Sequence, residues 1–222
     1  MKQHKYGVFM SEGRADTVAG ARSAGGKRLF DLALAILLLP IVSIIVGILY
    51  VLVRLDGGPG FFGHRRLGRN GEVFRCWKLR TMVPDAEKVL AAHLRDNPEA
   101  AREWHRDFKL RDDPRITRLG TFLRETSLDE LPQLWNVLRG EMSIVGPRPV
   151  VREELEKYRG YEWCYLACRP GITGLWQVSG RNDVDYASRV ALDVQYATQA
   201  SLARDVVIIF RTASAVLGRT GR

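Results

Sequence analysis

The chain of 222 residues is 46% hydrophobic and 27% charged, and its 34 Lys and Arg against 25 Asp and Glu leave a net charge of +9. That length carries one domain with its own core, with or without a membrane device, and the basic balance calls for a polyanionic partner: nucleic acid, anionic lipid headgroups or a phosphorylated substrate. The three cysteines, Cys76, Cys164 and Cys168, are odd in number, and one C-x3-C lacks the second half of a zinc site, so free thiols in a reducing compartment are expected.

Residues 1–26, rich in Gly, Ser, Ala and scattered charge, read as a flexible tail. Leu32 to Val53 is a run of 22 residues without a charge, about 33 Å as a continuous helix against a hydrocarbon core of about 30 Å. A cleaved signal peptide fits poorly, because Asp56-Gly57-Gly58-Pro59-Gly60 offers no small-x-small cleavage site. Pro40 removes one backbone hydrogen bond and clashes with the carbonyl four residues back, so a kink is expected there. Its two arms, roughly 8 and 13 residues, are each too short to span. Lys27 and Arg28 before the run, and Arg54, Arg65, Arg66 and Arg69 after it, pull both ends to the cytoplasmic side. These residues leave two arrangements open: a re-entrant hairpin bent at Pro40, and a straight crossing helix that tolerates its proline.

Residues 61–67 and 72–79 flank Gly68-Arg69-Asn70-Gly71, whose Asn-Gly pair predicts a hairpin of two short strands. Period-two alternation puts Phe74, Cys76, Lys78 and Arg80 on one face and Val73, Trp77 and Leu79 on the other. Two cations then point the same way, although edge strands also carry solvated Lys and Arg. Residues 85–110 read as helical with a break at Pro98, and residues 116–124 as another short helix, making the fold α+β and mostly α. Leu202, Val206, Ile209, Phe210, Ala213, Val216 and Leu217 fall on one face of a C-terminal helix, with Arg204 and Arg211 opposite. Packing of that face on the core is the default, and a place in the membrane interface is the alternative.

Ser127-Leu128-Asp129-Glu130-Leu131-Pro132 reads as a helix start. Ser127 and Glu130 have the spacing of a capping box, but with Ser127 as N-cap Pro132 would clash with the Leu128 carbonyl, so the helix is placed from Asp129. In that register the helix dipole keeps Asp129 ionised and able to attack, and neighbouring carboxylates suit Mg²⁺ held together with substrate phosphates. Plain capping by acidic residues is the competing explanation. Gly146-Pro147-Arg148-Pro149 holds Arg148 extended between two prolines, either pre-aimed for bidentate phosphate recognition or solvated on a turn. From Arg169 to Asp183, turn signals alternate with a strand-like piece, the kind of loop on which binding groups sit. His4, His64, His93 and His105 show no metal spacing and receive no role.

Taken in order, Lys27-Arg28-Leu29-Phe30-Asp31, Lys78-Leu79-Arg80-Thr81-Met82, residues 127–136, residues 146–149 and residues 169–182 resemble the monotopic bacterial sugar transferases, which are polyprenyl-phosphate phosphoglycosyl transferases, over about residues 26–218. The resemblance is nearest to the short exopolysaccharide type that moves galactose-1-phosphate or glucose-1-phosphate from a UDP-sugar to undecaprenyl phosphate. It implies a re-entrant membrane helix over residues 27–54, broken at Pro40, and a compact cytoplasmic catalytic domain over residues 55–222. A small β-hairpin and amphipathic interfacial helices would surround that domain at the cytoplasmic face of the bacterial inner membrane. It implies two steps: an aspartate attacks the sugar-bearing phosphorus and UMP leaves, then the lipid phosphate takes the phosphosugar. By motif, Asp129 is the nucleophile and Glu130 its Mg²⁺-associated partner. Lys78, Arg80 and Arg148 bind phosphate or nucleotide, and Arg169, Gln177, Arg181 and Asn182 join the substrate site. The product would remain among membrane lipids and feed downstream glycosyltransferases.

The chain departs from the family pattern twice. Leu39 rather than Ser precedes Pro40, so a hydroxyl that could satisfy a freed backbone group is missing, and only the short tail precedes Lys27, which reads as a minimal catalytic unit. A membrane-anchored basic protein without chemistry would explain the charge and the apolar run, as would a scaffold for polysaccharide assembly. Neither explains Asp129-Glu130 or the doubly pinned Arg148, and no standard nucleic-acid motif is present.

Overall fold

The computed structural model describes residues 24–107, 110–180 and 185–217. Most of the expected tail, up to residue 23, lies outside the described residues, as do Arg181 and Asn182. The apolar run forms helix α1 (Ala24–Arg54), which begins before Lys27 and carries Pro40 inside it. Its middle leaves Ile36, Leu37, Ile41, Ile44 and Ile48 exposed, far more contiguous apolar surface than a water-soluble domain tolerates. Towards each end one side of the helix is covered. Ala35 packs with Leu134, Val137, Met142, Ile144 and Tyr196, whereas Leu49 and Val53 pack with Leu79 and Leu123.

Polar groups fasten the N-terminal end. The Lys27 ammonium lies 2.7 Å from Asp31 and 2.9 Å from Asp205, and both carboxylates are about 1% exposed. Asp31 also accepts from Ser143 Oγ at 2.8 Å and from the Ile144 N–H at 3.2 Å, while Asp205 accepts from Tyr196 at 2.8 Å. Arg28 donates to the carbonyls of Val137 at 2.7 Å and Leu138 at 3.2 Å, the end of a helix where a cation is favoured.

Strands β1 (Phe61–Leu67) and β2 (Val73–Leu79) pair antiparallel from Phe61↔Leu79 to Leu67↔Val73, as the Asn-Gly signal predicts. Asn70 (φ 59°) and Gly71 (φ 78°) take the left-handed turn conformations that these two residue types tolerate best. Phe74 and Cys76 are buried and Val73 and Arg75 exposed, in the expected alternation. Leu79 departs from it, because the strand ends against the C-terminal arm of α1. Helices α2 (Ala86–Asp96) and α3 (Pro98–Asp107) break at Pro98, and their excursion opens and closes at the Met82–Ile116 bridge.

Helix α4 (Arg118–Glu125) starts at Thr117, whose hydroxyl accepts from the Gly120 N–H at 2.9 Å, and α5 (Gln133–Arg139) ends at Gly140 with φ 82°. Strands β3 (Ser143–Val145) and β4 (Gly171–Thr173) form a parallel pair. Helices α6 (Arg152–Leu155), α7 (Glu162–Leu166), α8 (Tyr186–Gln199) and α9 (Leu202–Leu217) complete a mostly helical α+β fold. The expected packing face of α9 is met only in part: Ile209 packs on the core but Leu202, Val206 and Phe210 are exposed, and Asp205 and Ile208 are the residues fully buried. The Lys27 ion pair and the Tyr196 hydrogen bond draw Asp205 inward.

The three cysteines are buried free thiols, as expected. Beside Cys164, Asp193 is 3% exposed; its Oδ2 accepts from the Tyr158 hydroxyl at 2.8 Å and its Oδ1 has no partner. Burial pushes this carboxyl up to about 7, against the pull of the Tyr158 hydrogen bond. Between the ordinary carboxylate range and pH 7 the folded state therefore keeps a proton that the unfolded state releases, so stability falls as pH rises through that window and levels off above it. Asp193→Asn lacks this dependence. Thermal melts should show the variant's Tm, relative to wild type, moving in its favour from pH 5 to pH 8; a constant difference would place the charge elsewhere.

Candidate active site

Ser127 adopts φ 56° and makes no capping hydrogen bond, and the next three residues, Leu128–Glu130, form a 3₁₀ turn with Glu130 N bonded to Ser127 O at 3.2 Å. Helix α5 starts only at Gln133, after Pro132. Proline has no N–H and fits where none is needed, so it delays the α-helix by one turn. The sequence reading is corrected here: Asp129 and Glu130 sit ahead of α5 rather than in its first turn, so no helix dipole holds Asp129 ionised; burial dominates at Asp129 and cations across the fold at Glu130.

The nearest of these is Lys78 on β2, whose ammonium is 2.6 Å from Glu130 Oε1 and 3.5 Å from Asp129 Oδ2. Burial works to raise the Glu130 carboxyl, but Lys78 and then Arg148 outweigh it and hold the group below its ordinary range. Asp129, 7% exposed, moves the other way: burial raises it, the neighbouring Glu130 charge adds to this, and Lys78 and Arg124 only partly offset it. Two adjacent carboxylates are thus driven apart in acidity, the arrangement that separates a nucleophile or base from a charge-bearing partner.

Arg148 is exposed, and its charge reaches Glu130. Its loop is held by backbone: Gly146 N bonds to Thr173 O at 2.9 Å and Gly171 N to Pro147 O at 2.8 Å. A Cβ at Gly146 would strike the Arg169 carbonyl, and one at Gly171 the Gly146 amide nitrogen. Two further cations belong to the constellation and carry no sequence signal of their own. Arg124, on α4, donates to Thr81 Oγ1 at 2.9 Å and acts on Asp129. Arg66, on β1, pairs with Glu154 at 3.2 Å and acts on Glu130. Cys76 lies beneath, its thiol pushed up to about 11 by burial, and is no nucleophile at neutral pH.

Arg80 is placed otherwise than the sequence predicts. A guanidinium has five donors, and here they go to Pro59 O at 2.6 Å, Met82 O at 2.6 Å, Val53 O at 2.9 Å and both oxygens of Asp56. The residue clamps the exit of α1 and keeps no donor for phosphate. Arg169 donates to Gly140 O at 2.9 Å and Gln177 to Ile172 O at 3.4 Å, so both brace the surrounding loops. Arg181 and Asn182 lie outside the described residues. Among the described residues no cluster of three or more His, Cys, Asp or Glu forms a closed metal cage. Arg80→Lys, which cannot reproduce the fork, should lower stability by on the order of 2 kcal/mol in chemical denaturation; a variant of unchanged stability would free Arg80 from the clamp.

Comparison with known proteins bears on this arrangement. The sequence model described as bacterial sugar transferase matches residues 22–219. The chain is 52% identical over 195 residues to an undecaprenyl-phosphate galactose phosphotransferase of Salmonella typhimurium, covering 88% of this chain and 41% of that protein. It is 54% identical over 198 residues to the exopolysaccharide production protein ExoY of Sinorhizobium fredii, covering 88% of each. An undecaprenyl-phosphate glucose phosphotransferase of Komagataeibacter xylinus is 37% identical over 202 residues, 84% of this chain and 35% of that one. The chain spans about two fifths of the length of several of these relatives and most of the length of others.

Proposed function

Since the chain belongs to the bacterial sugar transferase family, we propose that it transfers a hexose-1-phosphate from a UDP-sugar to undecaprenyl phosphate, releasing UMP, as the first membrane step of exopolysaccharide biosynthesis. The observation that carries this reading is the buried Asp129, with its raised carboxyl, beside a Glu130 held ionised by Lys78. A carboxylate stripped of water is a stronger base and nucleophile when ionised. Its oxygen attacks the sugar-bearing phosphorus, the bond from that phosphorus to the bridging oxygen breaks, and UMP departs with the electron pair. The aspartyl-phosphosugar is then attacked by an oxygen of the lipid phosphate, which regenerates the Asp129 carboxylate.

Arg148, Arg124 and Arg66 surround the dyad with positive charge suited to a diphosphate. Glu130, beside the nucleophile, would hold Mg²⁺ in the way that ion usually binds, through one or two carboxylates completed by substrate phosphates. The metal, when bound, would neutralise charge on the substrate's diphosphate and on the departing UMP.

The same reading places the protein at the cytoplasmic face of the bacterial inner membrane, with α1 as a re-entrant hairpin. What supports this is the burial pattern: both ends of α1 pack against the rest of the chain, whereas the stretch around Pro40 is exposed. The UDP-sugar arrives from the aqueous side, the lipid carrier from the bilayer, and downstream glycosyltransferases would extend the product.

UMP release from a panel of UDP-sugars, with undecaprenyl phosphate and Mg²⁺, tests the chemistry. One sugar should be used, and Asp129→Asn should lower the rate by at least about a thousand-fold while membrane association persists. A protein that only binds membranes would release no UMP in either form. Single cysteines introduced at Gly26 and Gly57 test the topology: a membrane-impermeant thiol reagent should reach both from the cytoplasmic side of inverted vesicles, and labelling from opposite sides would make α1 a crossing helix.

A further inference from the structure

The outward face of the β1–β2 hairpin plays no part in the chemistry above, and it is built against its own electrostatics. The register sets Arg65 directly opposite Arg75, and both are exposed. Like charges in that position destabilise a strand pair. Among the described residues neither guanidinium has an acidic partner within ion-pair distance. Arg75 leans away instead: its stem crosses Gly63, where any Cβ would strike it, and its guanidinium lies 5.4 Å from the Trp77 ring centroid. Gly63 thus leaves room for a cation laid flat on the strand.

This face continues into the exit of α1. The Phe61 ring is 4.9 Å from that of Tyr50, and Arg54 donates to the Tyr50 hydroxyl at 3.3 Å. Phe61 and Val73, on the same face as Arg65 and Arg75, are exposed, at 39% and 59%. Cations, aromatic rings and aliphatic groups in one strip match the boundary between headgroups and acyl chains, where basic side chains draw anionic lipid and rings sit at headgroup depth.

Depth agrees as well. Phe62 stands opposite Lys78 in the register, and Lys78 touches the dyad that must meet a lipid phosphate. Arg65 and Arg75 lie three residues along the hairpin, on its other face and about 10 Å away at strand rise, which is about one Debye length at moderate salt. We propose that this face is a docking surface for anionic phospholipid headgroups, with Arg65 and Arg75 as its charged contacts. The inference rests on the membrane placement of α1. A second copy of this chain would bring the same arginines against each other, and the apolar strip beside α1 favours a lipid over a nucleic acid.

The full-length chain reconstituted in phosphatidylcholine vesicles tests this, with spin-labelled phosphatidylglycerol or spin-labelled phosphatidylcholine as the reporter lipid. Electron paramagnetic resonance reads the fraction of each that the protein immobilises. Wild type should prefer phosphatidylglycerol. The Arg65→Gln/Arg75→Gln double variant should lose that preference about ten-fold, and the Lys/Lys double variant should retain it. Immobilisation of phosphatidylcholine, the circular dichroism melt and UMP release in detergent should stay unchanged. A phosphatidylglycerol preference equal in wild type and the Gln/Gln variant overturns the docking surface while leaving the membrane placement standing. Failure of wild type to enter the vesicles overturns both.

Discussion

Arg80 stands at the joint on which the rest of the molecule depends. Its five donors gather the last turn of α1, the Asp56 carboxylate and the loop at Pro59 onto the end of β2. Two residues earlier, on β2, Lys78 reaches the two carboxylates. A strand residue advances about 3.3 Å, so the end of α1 and the Asp129–Glu130 pair are referred to one another across a distance of a few ångströms by a single strand. Leu79, between them, is buried against Leu49, Val53 and Leu123 and removes the freedom that remains.

The other end of α1 is tied by charge rather than by a fork. One ammonium lies between two buried carboxylates, and one guanidinium covers the last carbonyls of α5. Buried ion pairs contribute little net stability, but removing one partner leaves an uncompensated charge at a cost of about 3–5 kcal/mol. Such a site therefore favours a single geometry over slightly shifted alternatives. Helices α1 and α9, the β3 strand and Tyr196 all meet there.

What the sequence made legible was local. The hairpin with its Asn-Gly turn, the break at Pro98 and the acidic pair beside Pro132 each follow from the chain's immediate chemistry. Arg80 misled because period two tells which face a side chain occupies, not what lies across from it; its partners are up to 27 residues away on a helix end. Arg66 joins the dyad from a strand distant in sequence and Arg124 from the helix just before it, and both look like ordinary surface arginines. On α9 a hydrophobic stripe suggested the docking face, yet Asp205, which pattern reading counts as polar and outward, is the residue held in the core. Long-range charge pairing overrides amphipathic periodicity when both partners are sequestered together.

The loop that presents Arg148 is positioned by main chain lying against main chain. Gly146 and Gly171 approach so closely that neither admits a Cβ, and hydrogen bonds from Gly146 and Gly171 close the contact on both sides. Residues 143–149 and 169–174 are accordingly one unit of exchange. Transplanting the arginine loop alone into a related scaffold would bring foreign side chains into a space with no room for them, whereas moving both segments together would carry the aim of the guanidinium intact. Variation in donor preference among such proteins would then be sought on the other walls of the site, where side chains rather than backbone set the shape.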